Sequence, residues 1–163
     1  MAPLEDFDPD RDLLLELTLE APRALVWRCW TEADLMKQWF APKPFTTPEA
    51  EVDLRPGGLC RTVMACPDGM RITNMWTYVA IEPGTRTISA NIGPLCGGML
   101  KSSVMTVDLQ FADAPGGGTQ YRAHVRHWTT ADRDAHAAMG FTEGWTQCAR
   151  QLDALAGTLS IPA

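Results

Sequence analysis

Apolar and polar residues alternate near the start of the chain, directly after an acidic segment. Leucines occupy positions 13, 15, 17 and 19, whereas glutamate and threonine occupy positions 16, 18 and 20. A period of two places the two sets of side chains on opposite faces of a strand. The pattern therefore predicts a first strand, preceded by a flexible lead-in over residues 1–11.

Helical spacing follows in two short stretches, 22–30 and 31–41, where apolar residues recur every three or four positions. Pro22 suits the first turn of a helix, and Thr31 to Asp34 has the form of a capping box for a second helix. Pro42 disfavours helical backbone at the residue before it and so ends the second stretch. The spacing predicts two short helices that form one αα unit.

Between residues 45 and 128 the alternation returns in short runs, separated by turn sequences rich in glycine and proline. Runs of this kind are typical of strands joined by tight turns. We place further strands near 45–54, 59–66, 71–82, 85–92, 102–112 and 119–128. Together with the first strand they predict a seven-stranded, mostly antiparallel sheet.

One long helix is predicted to follow the last strand, starting after a second capping box at Thr129 to Asp132. Its apolar positions step by three and four: Ala138, Phe141, Trp145, Cys148, Leu152 and Leu155. Gly140 and Gly144 lie beside this stripe, and each costs about 1 kcal/mol relative to alanine in a helix interior. We therefore expect them to permit close backbone approach to a strand or a ligand.

These elements predict an α+β fold in which a lone long helix covers a curved sheet and leaves a cavity. The 163 residues suit one domain, which we place at 12–158, followed by a tail at 159–163. No cofactor motif occurs, because the glycine clusters neither open a helix nor precede a lysine as in a phosphate-binding loop.

Charge and composition narrow the range of possible functions. The chain carries 14 basic and 20 acidic residues, a net charge of −6, which argues against nucleic acid as a partner. No stretch approaches the roughly 18 apolar residues of a membrane span, so we expect a cytoplasmic protein. The five cysteines are scattered, without the spacing of a zinc site, and are expected to be reduced and mostly buried.

Asp132, His136 and Glu143 could share one face of the final helix. As metal ligands they would lack a further donor at firm spacing, so the preferred interpretation is a solvated polar face and no metal. Cys148 lies on the apolar stripe with nothing placed to lower its pKa, which argues against a nucleophile.

His127 differs because the alternation puts it on one strand face with Tyr121 and Val125. It could act as a general base or a polar anchor, although a hydrogen-bonded structural histidine is the favoured interpretation. No catalytic residue is assigned, and His127 is the one weak candidate.

Large, adaptable apolar side chains are abundant, with six tryptophans and eight methionines. Several of them project between sheet and helix if the strand registers hold, where they suit an apolar ligand. The residues expected to bind a ligand are Asn74, Trp76, Tyr78, Met105, Tyr121, Ala123, Val125, His127, Gly140, Phe141, Gly144, Trp145 and Cys148.

Short motifs spread over residues 12–157 resemble the bacterial branch of the family related to the carboxy-terminal domain of the Hsp90 ATPase activator. This family belongs to the START-like (SRPBCC) superfamily, which also holds polyketide cyclases. The matching residues are Ala21-Pro22, Val26-Trp27, Trp30-Thr31, Trp39-Phe40, Pro42, the stretch 53–58, Pro67-Asp68-Gly69, Tyr121, His127-Trp128, His136, Met139-Gly140-Phe141, Glu143-Gly144-Trp145 and Gln151-Leu152.

The resemblance implies the helix-grip fold, in which a curved antiparallel sheet wraps a long carboxy-terminal helix around a hydrophobic cavity. It also implies binding of lipids or other hydrophobic small molecules, cyclase activity in some relatives, and action on a chaperone in eukaryotic ones. Two features depart from the family pattern: Trp76 stands where a small residue is usual, and the segment 93–99 has the composition of a flexible lip.

Three hypotheses follow. The first is binding of a hydrophobic or aromatic small molecule in the cavity, without a cofactor. The second is a cyclase-like enzyme without metal or redox cofactor, with His127 as proton shuttle and Tyr121 or Asn74 as hydrogen-bond donor. The third is a protein-interaction module, either chaperone-activating or a homodimer formed through a sheet edge or a lip at 93–101.

Overall fold

Seven antiparallel strands form one sheet in the computed structural model, which describes residues 1, 4, 6–93 and 105–160. The strands are β1 (Asp12–Leu19), β2 (Thr46–Val52), β3 (Leu59–Ala65), β4 (Arg71–Glu82), β5 (Arg86–Asn91), β6 (Met105–Asp113) and β7 (Thr119–His127). Their order across the sheet is β1-β7-β6-β5-β4-β3-β2. Strands β2 to β7 are therefore a meander, and β1 joins it beside the last strand.

The α+β fold predicted from the sequence is confirmed, and each predicted strand matches an observed one to within a few residues. The alternation predicts the strands well because one face of the sheet is buried. A strand whose register slipped by one residue would turn its apolar side chains to solvent. Two predictions, the start of the sixth strand at 102 and most of the lip at 93–101, fall outside the described residues.

Four helices accompany the sheet in the described ranges: α1 (Arg23–Thr31), α2 (Ala33–Trp39), α3 (Thr130–Ala138) and α4 (Phe141–Ala156). None of them combines the length and hydrophobicity that crossing a membrane requires. The second capping box is confirmed, since Thr129 Oγ1 accepts a hydrogen bond from the backbone N–H of Asp132 at 3.2 Å. The first is wrong: Thr31 ends α1, and its hydroxyl donates to the carbonyl of Trp27 at 2.9 Å.

The prediction of a single long final helix is also wrong, because the helical conformation is interrupted between α3 and α4. Gly140 has φ +87° and ψ 41°, the left-handed conformation, and forms the N-cap of α4. A residue in that conformation cannot continue a right-handed helix, and glycine adopts it without steric cost. Gly140 is thus a boundary residue rather than a costly interior one.

The hydrophobic core lies mainly over one side of the sheet. Side chains of β1, β6 and β7, among them Leu15, Val107 and Val125, pack against α1 and the carboxy-terminal half of α4. A smaller cluster of Met36, Cys60 and Tyr78 lies over β3 and β4. The covering of the sheet is therefore uneven.

Four cysteines are free thiols, of which Cys29, Cys60 and Cys66 are buried and Cys148 is half-buried. Cys96 lies outside the described residues. Within the described ranges no group of His, Cys, Asp and Glu side chains has an arrangement that could hold a metal ion.

Candidate ligand-binding cavity

A cavity of about 270 Å³ lies between the sheet and the helices, on the less densely packed side. Its volume is slightly below the roughly 300 Å³ at which typical ligand pockets begin. The described residues that line it are Trp30, Trp39, Phe40, Pro42, Cys60, Met64, Asn74, Trp76, Tyr78, Thr87, Ser89, Met105, Val107, Leu109, Tyr121, His136, Met139, Gly140, Phe141, Gly144, Trp145, Cys148 and Ala149.

A larger depression of about 690 Å³ lies on the outer side of α4, near the end of α2. Most residues on its walls have polar or charged side chains, with Gln38, Lys43, Glu143 and Arg150 among them, and it is more open to solvent than the cavity. Ligand sites for small molecules are concave and mostly apolar with a few polar groups. The smaller cavity is less open and is lined mainly by apolar and aromatic side chains, so it is the candidate site.

The sheet forms one wall of the cavity. Asn74, Trp76 and Tyr78 alternate along β4 and therefore share its inner face. Ser89 pairs with Tyr78 across the β4–β5 ladder and adds a hydroxyl beside the aromatic rings. The wall is thus apolar with a narrow polar strip in the middle.

Helix α4 forms the opposite wall through its amino-terminal half, where Gly144, Trp145 and Cys148 are half-buried. A Cβ atom added to Gly144 would meet no other atom within 4 Å. The close backbone approach expected at this glycine is therefore not made with the protein, and the space beside it stays open.

Hydrogen bonds hold α4 in this position from its other half. The Asp153 carboxylate accepts from the backbone N–H groups of Glu20 and Ala21 at 3.0 and 2.9 Å. The side-chain amide of Gln151 donates to the carbonyls of Trp39 and Ala41, both at 2.8 Å. Because these contacts fix the carboxy-terminal half, the amino-terminal half is held over the cavity without filling it.

Aromatic contacts stiffen the walls. The Trp30 ring stacks on Tyr121 with centroids 6.4 Å apart and meets Trp39 edge to face at 4.6 Å. Phe141 and Trp145 on α4 are 5.2 Å apart. Such contacts contribute beyond the area they bury, so the cavity is framed by rings with fixed orientation.

Most residues expected to bind a ligand lie on the cavity wall, including Asn74, Trp76, Met105, Tyr121 and Trp145. Three do not, although the alternation placed them on the correct face of β7: Ala123, Val125 and His127. They lie in the packed core, with exposed fractions of 0%, 0% and 5%. The reason is that Ala123 and Val125 pack with residues of α1 and α4, and His127 contacts His136 of α3.

His127 makes two hydrogen bonds, one between its Nδ1 and the carbonyl of Arg11 and one between its Nε2 and Nδ1 of His136, each 2.9 Å long. Burial lowers its pKa below the ordinary value. Because His127 is not on the cavity wall, a proton shuttle at this position would have no direct contact with a substrate in the cavity.

His136 is one of the lining residues that sequence reasoning did not assign to the site; the others are Trp30, Trp39, Phe40, Pro42, Cys60, Met64, Thr87, Ser89, Val107, Leu109, Met139 and Ala149. The solvated polar face predicted for Asp132, His136 and Glu143 is wrong for the first two, which are buried, and only Glu143 is exposed. His136 lines the cavity, and burial together with neighbouring His127 lowers its pKa to about 4. Its place among the family motifs was the one signal that pointed to it.

The other ionisable wall residues stay protonated at neutral pH. Burial raises the pKa of the Cys148 thiol to about 12, and its Sγ donates to the carbonyl of Phe40 at 3.3 Å. Burial likewise raises the pKa of the Tyr78 and Tyr121 hydroxyls. These groups can donate hydrogen bonds, but none is a nucleophile.

Comparison with known proteins supports the same architecture. Residues 20–157 match the family described as Activator of Hsp90 ATPase homolog 1-like protein. A structure from Nitrosomonas europaea is 34% identical, with a TM-score of 0.83, and the match covers 93% of this chain and 97% of that one. No curated protein matches the sequence significantly.

More distant structures share the fold. One from Rhodobacter sphaeroides is 23% identical with a TM-score of 0.81, covering 94% of this chain and 97% of that one. An AHSA1-like protein from Aeromonas hydrophila, also 23% identical, has a TM-score of 0.69 over 93% of this chain and 98% of its own. With the fold, the cavity and these similarities together, the chain belongs to the family of Activator of Hsp90 ATPase homolog 1-like proteins.

Proposed function

We propose that the protein binds an uncharged, apolar or aromatic small molecule in the cavity between the sheet and α4. The observation that carries this proposal is the open space beside Gly144, on the wall of a cavity lined mainly by apolar and aromatic side chains. Protein interiors are close-packed, and a gap of this size in a helix-covered core costs stability. A bound molecule would offset that cost.

The chemistry of the walls supports an apolar occupant. Trp76, Tyr121 and Trp145 supply broad aromatic faces, and Met105 and Met139 supply adaptable thioethers. Fold relatives commonly bind hydrophobic ligands. Met139 is 44% exposed as well as lining the cavity, so it marks the rim through which a ligand would enter.

The charge of the walls indicates an uncharged occupant. No lysine, arginine, aspartate or glutamate is among the described lining residues. An ion moved into such a site would lose its hydration without gaining a partner of opposite charge, which is strongly unfavourable. At roughly 30 Å³ per water, the volume corresponds to a ligand on the order of ten non-hydrogen atoms.

Substitution of Gly144 tests the proposal. In Gly144→Leu the new side chain enters the cavity, whereas Gly144→Ala makes the same helix more stable and leaves most of the space open. We would record ¹⁹F NMR spectra of 2-fluoronaphthalene with the wild type and both variants. A bound signal is expected with the wild type and Gly144→Ala, and none with Gly144→Leu.

Two results would contradict the proposal. One is a wild-type protein that gives no bound ¹⁹F signal at saturating probe. The other is a Gly144→Leu variant that is folded, as judged by circular dichroism, and binds the probe as well as the wild type does, since the probe would then occupy another place.

A further inference from the structure

A chain of hydrogen bonds runs from the backbone into the cavity wall. The carbonyl oxygen of Arg11 contacts Nδ1 of His127, and Nε2 of His127 contacts Nδ1 of His136, both at 2.9 Å. A carbonyl oxygen only accepts hydrogen bonds, so Nδ1 of His127 must carry a proton. The remaining protons of the two rings depend on whether either ring is charged.

Both rings are neutral near pH 7. Burial lowers the pKa of His127, and burial and the adjacent His127 ring lower that of His136 to about 4. The two rings are 5% and 7% exposed, so little solvent is available to stabilise a charge on either. A neutral imidazole carries one proton, and the ring nitrogen without it is an acceptor.

The tautomers are then fixed in sequence. His127 has its proton on Nδ1, so its Nε2 is bare and must accept from Nδ1–H of His136. That leaves Nε2 of His136 as a bare acceptor. In the described part of the chain Nε2 of His136 has no hydrogen-bond partner. The Trp30 indole nitrogen also lacks a partner but is fully buried, whereas Nε2 of His136 is not. His136 lines the cavity, and Nε2 is the one nitrogen of this ring that can accept a hydrogen bond from an occupant.

We propose that the cavity selects an aromatic ligand that carries a hydroxyl or N–H group, and that Nε2 of His136 accepts a hydrogen bond from that group. This inference rests on the proposed function and names the ligand class: a phenol, naphthol or indole-like molecule. His127 is the positioning residue, because it holds His136 in the tautomer that accepts.

Other polar groups on the wall do not make the same selection. Asn74, Ser89 and Tyr121 can each donate or accept, and the indole N–H groups of Trp76 and Trp145 can only donate, so none of these groups requires a donor on the ligand. His136 in this tautomer can only accept. A ligand with an acceptor at that place would set two lone pairs against each other, and one with a C–F or C–H group would leave Nε2 unpaired.

The first test compares two probes of nearly equal size, 2-naphthol and 2-fluoronaphthalene, by isothermal titration calorimetry. A net hydrogen bond of roughly 1 kcal/mol corresponds to about a five- to tenfold preference for 2-naphthol in the wild type. In His136→Phe the preference should fall below about twofold. The ratio of the two affinities within one variant cancels any change in cavity shape common to both probes.

The outcomes separate the inference from the proposed function. If both probes bind the wild type equally, or the preference persists in His136→Phe, the selection by His136 is overturned while cavity binding stands. If neither probe binds the wild type, the proposed function fails, and the inference with it.

A second test needs no ligand and no variant of His136. A long-range ¹H–¹⁵N correlation spectrum of the labelled wild type at pH 7 distinguishes protonated from bare ring nitrogens. We expect Nε2 of His136 to be bare and Nδ1 to be protonated. A protonated Nε2 on His136 overturns the inference directly, even if His136→Phe does not fold.

The role of His127 has its own readout in the same spectrum. In His127→Phe the partner of His136 Nδ1 is removed, so we expect a protonated Nε2 to appear on His136. An unchanged tautomer would contradict the positioning role of His127.

Discussion

His136 and His127 show how burial changes the chemistry of a residue that usually titrates near neutral pH. Each ring is packed against the other, His136 also against Phe141 at 5.1 Å, and the hydrogen bond between them requires an unprotonated Nε2 on His127. Protonation of both rings is unfavourable, because each charge would be buried and would lie next to a like charge. The pair is therefore a neutral element of the fold that becomes unfavourable in acid.

Stability should depend on this pair between about pH 6.5 and pH 4. The pKa of His136 falls from 6.5 to about 4 on folding, so in this interval the unfolded chain binds the extra proton. Stability that is present above pH 6.5 is lost as the pH falls, by roughly 3 kcal/mol for this group, because one pKa unit corresponds to about 1.4 kcal/mol.

Urea unfolding at pH 7 and pH 4.5 measures the effect. The free energy of unfolding should drop less in His136→Phe than in the wild type, because the variant lacks the titrating ring while the carboxylates are shared by both. An equal drop in the two proteins would show that His136 does not carry the pH dependence.

Gly140 and Gly144 are four positions apart, yet they serve different purposes in the helical segment. Gly140 makes the left-handed turn between α3 and α4, and its added Cβ would meet only Glu143 Oε2, at 3.7 Å. Gly144 lies inside α4 and leaves space toward the cavity. The backbone conformation requires glycine at position 140, whereas Gly144 only leaves space beside the helix.

Alanine at these two positions should therefore have opposite effects. Gly140→Ala forces a side chain into the left-handed region and should lower the free energy of unfolding by about 1–2 kcal/mol. Gly144→Ala improves helix propensity without a clash and should raise it by about 1 kcal/mol. Denaturant unfolding of both variants checks this, and the same sign for both would contradict the assigned conformations.

The strands and short helices could be predicted because burial of one face requires apolar residues at a regular spacing along the sequence. The alternation through 71–82 and 119–127 identified the inner residues of β4 and β7 correctly. The break at Gly140 was not predicted, because the three- and four-residue steps of apolar positions continue across it. A periodic pattern does not show that one residue has left the helical conformation.

The sequence predicted which part of the fold forms the site, but not which side chains reach the cavity. Alternation tells which face of β7 carries Val125 and His127, but not which part of that face a helix covers. Long-range packing of α1 and α4 decides that, and no local pattern encodes it. For the same reason the sequence predicted His136 to be a polar surface residue, although it is buried where α3 packs against the sheet.

The whole molecule divides into a packed side and an open side. Over β1 and β7 the core is dense, and Asp153 holds α4 to the residues that follow β1. Mainly over β3 to β6 the helices leave the cavity, and Gly144 lies on its wall. The dense side can supply the stability of the fold, so the open side is free to hold a ligand.

Self-association through a sheet edge stays a prediction. The edge strand β2 carries Pro48, and Glu49 and Glu51 form ion pairs with Arg61, at 3.0 and 3.1 Å. Proline and charged residues protect an edge against pairing with another strand. A dimer formed through an edge would therefore be expected to use β1 rather than β2.

Isotope-filtered NOE spectroscopy with 2-naphthol shows whether an uncharged aromatic molecule occupies the cavity. We expect NOEs from the naphthol ring to the side-chain methyl groups of Met105, Val107 and Leu109, which lie on the inner wall. Val79 and Ile92 are 55% and 53% exposed and serve as surface controls. NOEs to these two alone, or none to the protein at saturating naphthol, would rule out binding in the cavity.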